Sequence, residues 1–280
     1  MVSELSDMTW IEAGEKLKST RLAILPIGSV EQHGLHLGLG ADWIQAWNIA
    51  KKVGERTDKI VLPIMPYGVA SHHQDFPGVI SLKPSTLTDV VFDVLTSLNR
   101  YGIERVLIIN GHGGNLAAIT EAARVAREKY GMISAISQWW DILRGKPLFG
   151  QPAVAHAGYA ETAFTLASRP EAVRKELAVL SETKQVDKDI QLVSLIEARF
   201  EQGYVYMPLN TADVSNTGSM TEGHPDDVKG TKDYSKITKE FAENLMEQIV
   251  DWLSRFVEKF EGFEVPETVI TKELAMKDLE

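Results

Sequence analysis

Leu22-Ala23-Ile24-Leu25-Pro26-Ile27-Gly28, followed by Glu31-Gln32-His33-Gly34-Leu35-His36-Leu37-Gly38-Leu39-Gly40-Ala41-Asp42, decides how the chain is read. The apolar run is what a strand covered on both faces looks like, and Gly28-Ser29 breaks it. A carboxylate, an imidazole two residues on and a second carboxylate nine residues later then follow, threaded between glycines. Open α/β sheets place their sites beyond the carboxyl ends of strands, which is where this polar cluster falls. The stretch reads as half of a metal site.

Working outward, Thr9 with Glu12 forms a capping box for a short helix that feeds this strand. Beyond Asp42, apolar residues at 43, 46, 47, 50 and 53 form a helical stripe, with Trp43 and Trp47 read as core packing. Ile60 to Pro66 is a second strand whose prolines argue for an edge position. It runs into a polar loop in which His72 and His73 are candidates for lining a pocket. Thr86 or Thr88 is expected to cap the next helix, which stops at Tyr101-Gly102.

Arg105-Val106-Leu107-Ile108-Ile109-Asn110-Gly111-His112-Gly113-Gly114-Asn115 repeats the opening pattern of buried strand, glycines and histidine. It lacks the GxGxxG and Walker spacings, which argues against a phosphate cradle. The Gly113-Gly114-Asn115 turn is expected to line the substrate site, since glycines let backbone approach a ligand. Residues 116 to 130 read as a helix and Met132 to Asp141 as a fourth strand ending in Trp139-Trp140. Alternating strand and helix predict an α/β fold: three layers, a mostly parallel sheet with helices on both faces.

His156 and Glu161 begin a further helix of small residues. Residues 177 to 180 and 190 to 200 are expected to be packing helices, and 207 to 230 a long loop serving as lid or subunit contact. Ile237 to Phe256 stripes a long amphipathic helix that covers the sheet, followed by a charged tail from about residue 261. The expectation is a single domain over residues 1–280.

The chain of 280 residues is 44% hydrophobic, enough for a sizeable core, and its net charge of −10 disfavours nucleic acid or an anionic membrane as partner. A small-molecule substrate fits better. With no cysteine, thiolate nucleophiles and Cys-ligated metals are excluded. Neither a signal peptide nor a run of about 18 apolar residues is found, so a cytoplasmic location is expected. Glu31, His33, Asp42, His112 and Glu161 thus offer two imidazoles and three carboxylates to one or two divalent ions, Zn²⁺ or Mn²⁺. Asp42, at the end of the ligand loop, is the candidate bridge, and His156 is left as the acid/base group.

The ordered motifs Pro26-Ile27-Gly28-Ser29-Val30-Glu31-Gln32-His33-Gly34 with Asp42, Phe76-Pro77-Gly78, Asn110-Gly111-His112-Gly113-Gly114-Asn115, and His156-Ala157-Gly158 with Glu161-Thr162 resemble the creatininase family. The resemblance covers most of residues 20 to 235. It implies a metal-dependent hydrolase with two divalent ions, Zn²⁺ and/or Mn²⁺, per subunit, in a homo-oligomer, commonly a hexamer. Glu31, Asp42 and His112 would then serve one ion, and His33 with the shared Asp42 the other. Trp140 would be an aromatic facing substrate. Creatininase proper carries glutamates at the positions of Gly114 and Ala155; Glu161 is the candidate substitute for the first, and the second counts against creatinine as substrate. The favoured expectation is ring-opening C–C hydrolysis of a diketo-inositol, 3-dehydro-scyllo-inosose, in inositol catabolism. The alternatives are an amidohydrolase for a cyclic amide or formamide, and a non-catalytic binding protein on the same fold.

Overall fold

The computed structural model describes residues 4–143, 146, 148–149, 155–185, 187–221 and 233–265. Helix α1 (Trp10–Ser19) leads into β1 (Leu22–Ile27), α2 (Ala41–Thr57), β2 (Ile60–Val61), α3 (Pro84–Arg100), β3 (Arg105–Asn110), α4 (Leu116–Tyr130) and β4 (Ile133–Gln138). The remainder comprises β5 (Ala155–His156), α5 (Tyr159–Ser168), β6 (Ile190–Leu192), β7 (Glu197–Phe200), β8 (Gly203–Tyr206), α6 (Thr211–Val214), β9 (Met220–Thr221) and α7 (Lys239–Glu261). The main sheet has the order β2-β1-β3-β4 and every pairing in it is parallel.

The two central strands show why three layers form. Side chains alternate across a strand. Leu22 and Ile24 of β1 with Leu107 and Ile109 of β3 face a cluster that holds Ile49 and Val53 of α2, Phe164 of α5 and Ile249 of α7. Ala23, Leu25 and Ile27 with Val106 and Ile108 face the opposite cluster, formed with Leu87, Val91 and Leu95 of α3 and Ile119 and Ala122 of α4. Each apolar strand is consumed on both sides, so its polar continuation emerges at one end of the sheet. β2 is indeed an edge strand, and it stops at Val61, before Pro63.

Thr9 and Glu12 form the expected capping box. Neither Thr86 nor Thr88 caps α3: the helix starts earlier, at Pro84 in the first turn, where proline's fixed φ suits it. The expected helices at 177–180 and 190–200 are replaced by a single 3₁₀ turn at Lys175–Leu177 and an antiparallel meander of β6, β7 and β8. Its period is two, with Leu192 and Ala198 buried, and Glu201 at φ 52° begins the tight turn into β8. Within 207–230, the described residues contain α6, closed by an Asn210/Asp213 capping box, and β9, which pairs with β5. Residues 222–230 of that segment, and the charged tail from 266 onward, lie outside the described residues.

Candidate metal centre

β1 and β3 are in register, Ile27 opposite Asn110, so the chain leaves both strands at the same sheet edge. From β1 it turns through Gly28, where a Cβ would stand 2.3 Å from the Trp43 Cα; only glycine lets β1 pass so close to α2. The loop that follows is closed by Glu31 N–H donating to the Leu39 carbonyl at 2.9 Å. It delivers Glu31 and His33 into the interior, and Asp42 joins them from the first turn of α2, where the helix dipole favours a carboxylate. From β3, His112 arrives just before the Gly113–Asn115 turn. His156 comes from β5 and Glu161 from the first turn of α5.

The two ring nitrogens of each ligand candidate are assigned by their neighbours. His112 Nε2 lies 2.8 Å from the Val69 carbonyl and donates to it, which leaves Nδ1 facing Glu31 Oε2 at 2.9 Å and Asp42 Oδ2 at 3.3 Å. His33 Nδ1 donates to the Glu31 carbonyl at 3.3 Å, leaving Nε2 at 2.8 Å from Asp42 Oδ1 and 3.8 Å from Glu161 Oε2. Asp42 therefore turns one oxygen to each imidazole. Two groups of converging donors result, Glu31/Asp42/His112 and His33/Asp42/Glu161, with Asp42 common to both. A third, Glu31/His33/His156, draws on the same His33. Because His33 has one nitrogen left to give, the second and third groups exclude each other.

Electrostatics follow from burial. His33, His112, Glu31 and Asp42 are all at most 5% exposed. Burial alone would strip His33 of its proton, but Asp42 and Glu161 beside it outweigh that and raise its pKa to about 10. Burial opposes protonation of His112 too, and Glu31 with Asp42 reverses it, so its pKa lies well above 6.5. Glu31 is pulled well below the usual carboxylate range by His112 and His73, against its own desolvation. This is a place where three carboxylates demand positive charge and two imidazoles point their donor nitrogens at the same spot. Nitrogen and carboxylate oxygen, with no thiolate, form a donor set that fits Zn²⁺ or Mn²⁺.

His156 behaves in the opposite way. Burial, then the charges of His33 and His73, hold its pKa well below 6.5. Its Nε2 donates to the Gln32 carbonyl at 2.7 Å, so the Nδ1 lone pair looks toward Glu31 Oε1, 3.9 Å away. His73 stacks on it at 4.7 Å between centroids. His73 Nε2 lies 3.3 Å from Glu31 Oε1, and its Nδ1 accepts from Thr211 Oγ1 at 2.6 Å.

The structure thus brings Glu31, His33, Asp42, His73, His112, His156 and Glu161 into one cluster. Asn115, expected at the substrate, is instead a buried brace: its amide oxygen takes the Val69 N–H at 2.8 Å, and its nitrogen donates to the Gly28 carbonyl at 3.0 Å and Asn110 Oδ1 at 3.2 Å. Gly114 packs flush, since a Cβ there would lie 2.2 Å from the Val69 carbonyl and 2.5 Å from His112 Nε2. No side chain, a carboxylate least of all, fits at 114 without displacing the His112 anchor. A Cβ at Gly113 would meet nothing within 4 Å. Trp140 is half-buried, edge-on to Trp139 at 5.6 Å, and packs at the margin of the core cluster.

Ser29 and Gln32 join the site without having been singled out in the sequence, and His72, a pocket-lining candidate there, lies beside them. Ser29 Oγ is 2.7 Å from both Glu31 Oε2 and Asp42 Oδ2, and Gln32 Nε2 is 3.0 Å from His73 Nδ1. His72 stacks on His112 at 5.4 Å, and burial lowers its pKa to about 3. Ser29 and Gln32 adjoin named candidates, and adjacency was their only signal.

Comparison with known proteins agrees with this geometry. A family model described as creatininase, creatinine amidohydrolase, matches residues 6–257. The creatinine amidohydrolase of Pseudomonas putida is 31% identical over 189 residues, 60% of this chain and 73% of that protein. The mycofactocin precursor peptide peptidase of Mycolicibacterium smegmatis is 33% identical over 168 residues, 58% of this chain and 64% of that one. The 3-dehydro-scyllo-inosose hydrolase of Thermotoga maritima is 28% identical over 188 residues, 63% of this chain and 60% of that one. The chain therefore spans less than two thirds of the last two. A crystal structure of creatinine amidohydrolase (creatininase) superimposes with a TM-score of 0.74 at 22% identity, covering 94% of this chain and 99% of that chain. Manganese and zinc–zinc forms of creatininase give 0.72 and 0.71 at 23% identity, each covering 93% of this chain and 99% of the other. At such identities the superpositions speak for the fold.

Proposed function

The chain belongs to the creatininase family of metal-dependent hydrolases, and from that premise we propose that it adds water to a carbonyl of a small, polar, cyclic substrate. The observation that carries this reading is the pair of donor groups that share Asp42. Glu31, Asp42 and His112 would hold one divalent ion, and His33, Asp42 and Glu161 a second, of Zn²⁺ or Mn²⁺. Bound there, such ions supply Lewis acidity and a nucleophilic water at neutral pH.

The protein's own residues do the rest. Asp42 and Glu31 fix negative charge in a site closed to bulk water, and the His33 and His112 rings are locked by their carbonyl partners. His156, neutral with its Nδ1 lone pair toward the site, takes the proton lost by the attacking water and returns it to the leaving atom. Such a transfer contributes about 10²- to 10⁴-fold in rate. His73 and the exposed backbone at Gly113 line the substrate position, and Trp140 closes its outer side.

For the bond broken we favour ring-opening C–C hydrolysis of a diketo-inositol, and in support the Thermotoga maritima relative is named as a hydrolase of 3-dehydro-scyllo-inosose. In further support, positions 114 and 155 lack the carboxylates of creatininase proper, and 114 has no room for one. A second reading, C–N cleavage of a cyclic amide, formamide or peptide, is favoured by the names of the Pseudomonas putida and Mycolicibacterium smegmatis relatives, both above 30% identity. Purified enzyme loaded with Mn²⁺ or Zn²⁺ and offered 3-dehydro-scyllo-inosose, creatinine and formamides decides between them. Ring opening of the diketone alone is expected; turnover of an amide alone overturns the C–C assignment. Absence of bound metal, with activity indifferent to chelator, overturns the hydrolase mechanism. We place the enzyme in the cytoplasm as a single-domain homo-oligomer, hexameric as the family resemblance implies. No helix among the described residues is long and apolar enough to cross a membrane.

A further inference from the structure

Ser29 lies two residues beyond the end of β1, and its side chain is wholly buried. Its Oγ lies 2.7 Å from Glu31 Oε2 and 2.7 Å from Asp42 Oδ2. These are the two oxygens that face His112 Nδ1. Glu31 reaches them from a loop and Asp42 from α2, so the hydroxyl ties together two carboxylates that no continuous element connects. A serine hydroxyl carries one proton; it donates to one carboxylate while its oxygen stays against the other. Two buried carboxylates repel, and a group fixed between them sets how far apart and at what angle they stand.

We propose that Ser29 is a positioning residue for the Glu31/Asp42/His112 cation. Its hydroxyl holds Glu31 Oε2 and Asp42 Oδ2 in the arrangement the ion needs, so that binding requires no rearrangement of either carboxylate. Hydrogen-bond partners of metal ligands act in this way in general, and their loss weakens binding. The inference rests on the metal-hydrolase reading above.

The test is Zn²⁺ affinity, measured on chelator-stripped full-length protein by competition with a chromophoric chelator. Ser29→Ala is expected to weaken Zn²⁺ binding about 10- to 100-fold and to alter the visible spectrum of the Co²⁺-loaded protein. Ser29→Thr and Ser29→Val, alike in shape, isolate the hydroxyl. Threonine should bind within about threefold of wild type, and valine should fall with alanine. Alanine or valine binding as tightly as wild type, or threonine losing as much as valine, overturns the proposal. So does failure of all three to fold, because the hydroxyl would then serve the fold. Wild-type protein that binds neither Zn²⁺ nor Mn²⁺ would instead sink the metal-hydrolase reading itself.

Discussion

The two donor groups differ in how tightly the fold holds them. Glu31, Asp42 and His112 are buried, their donor atoms lie 2.9 and 3.3 Å apart, and Ser29 and the Val69 carbonyl fasten them from behind. In the other group Glu161 is 3.8 Å from His33 and its side chain 16% exposed, and His156 competes for the same imidazole. The tight group sits where two central strands of the sheet end, whereas the loose one draws Glu161 from the first turn of α5. A scaffold built this way keeps its first donor group rigid and leaves the second open to change. Gly114 packs against the tight side, at the Val69 carbonyl and His112 Nε2.

Removing the residue the groups share should erase the difference between them. Asp42→Asn is expected to lower kcat by about 10³-fold or more and to lose metal from both positions, read by steady-state kinetics and elemental analysis. Retention of one full equivalent of metal with wild-type kcat would dissolve the shared-carboxylate model. Single changes should then expose the asymmetry. Glu31→Gln leaves His112 Nδ1 and His73 Nε2 without their carboxylate and should weaken Zn²⁺ binding about 100-fold; Glu161→Gln should cost about tenfold. Equal losses would mean that the 3.8 Å separation tightens on binding and that the two halves are alike.

How much of this was readable from residues alone follows the same division. Strands β1 and β3 announce themselves because both faces are buried, and the glycines and histidines after them mark the sheet edge. Glu31, His33, Asp42 and His112 were accessible for that reason. Asn115 was not, because its bracing role depends on Gly28 and Val69, distant in sequence and brought close only by the fold. Nor was the meander at 190–206, whose aliphatic spacing satisfies a helix as well as a strand until the turn at Glu201 is known. Ser29 stood inside the quoted motif, yet a serine after a strand has no chemistry until its two acceptors are in place.

Protonation offers a milder probe of the same cluster. In chelator-stripped protein, His33 has a folded pKa raised to about 10 from 6.5, so its contribution is complete below pH 6.5 and is lost as pH climbs through 10. His112 acts in the same direction. His72 and His36, lowered to about 3 and about 4, act oppositely: they favour the folded state above pH 6.5, an advantage lost as pH falls toward those values. Stability of the stripped protein should therefore peak near the ordinary imidazole pKa of about 6.5 and decline on both sides. Metal ions bind the deprotonated rings, so adding Zn²⁺ should raise Tm by more at pH 9 than at pH 6 and release protons into weak buffer. A Tm increment independent of pH would show that His33 and His112 are not the groups displaced.

The smallest effect is expected at Trp140, farthest from the tight group in its bonding. Its ring lies edge-on to Trp139, which is fully buried against Phe164 at 4.2 Å between centroids. Phenylalanine keeps an aromatic edge there while losing ring area, so Trp140→Phe should cost about 1 kcal/mol of stability, read as a modest fall in Tm. A residue that only packs leaves KM and kcat alone, whereas one that also closes the substrate position raises KM while kcat holds. A KM rise of about threefold, with metal content unchanged, is the expected result. An unaltered KM with the same fall in Tm would assign Trp140 wholly to the core and remove it from the substrate wall. A fall in kcat with loss of metal would do more, because it would couple the sheet's outer edge to the loose group and break the contrast between a rigid and an adjustable ion position.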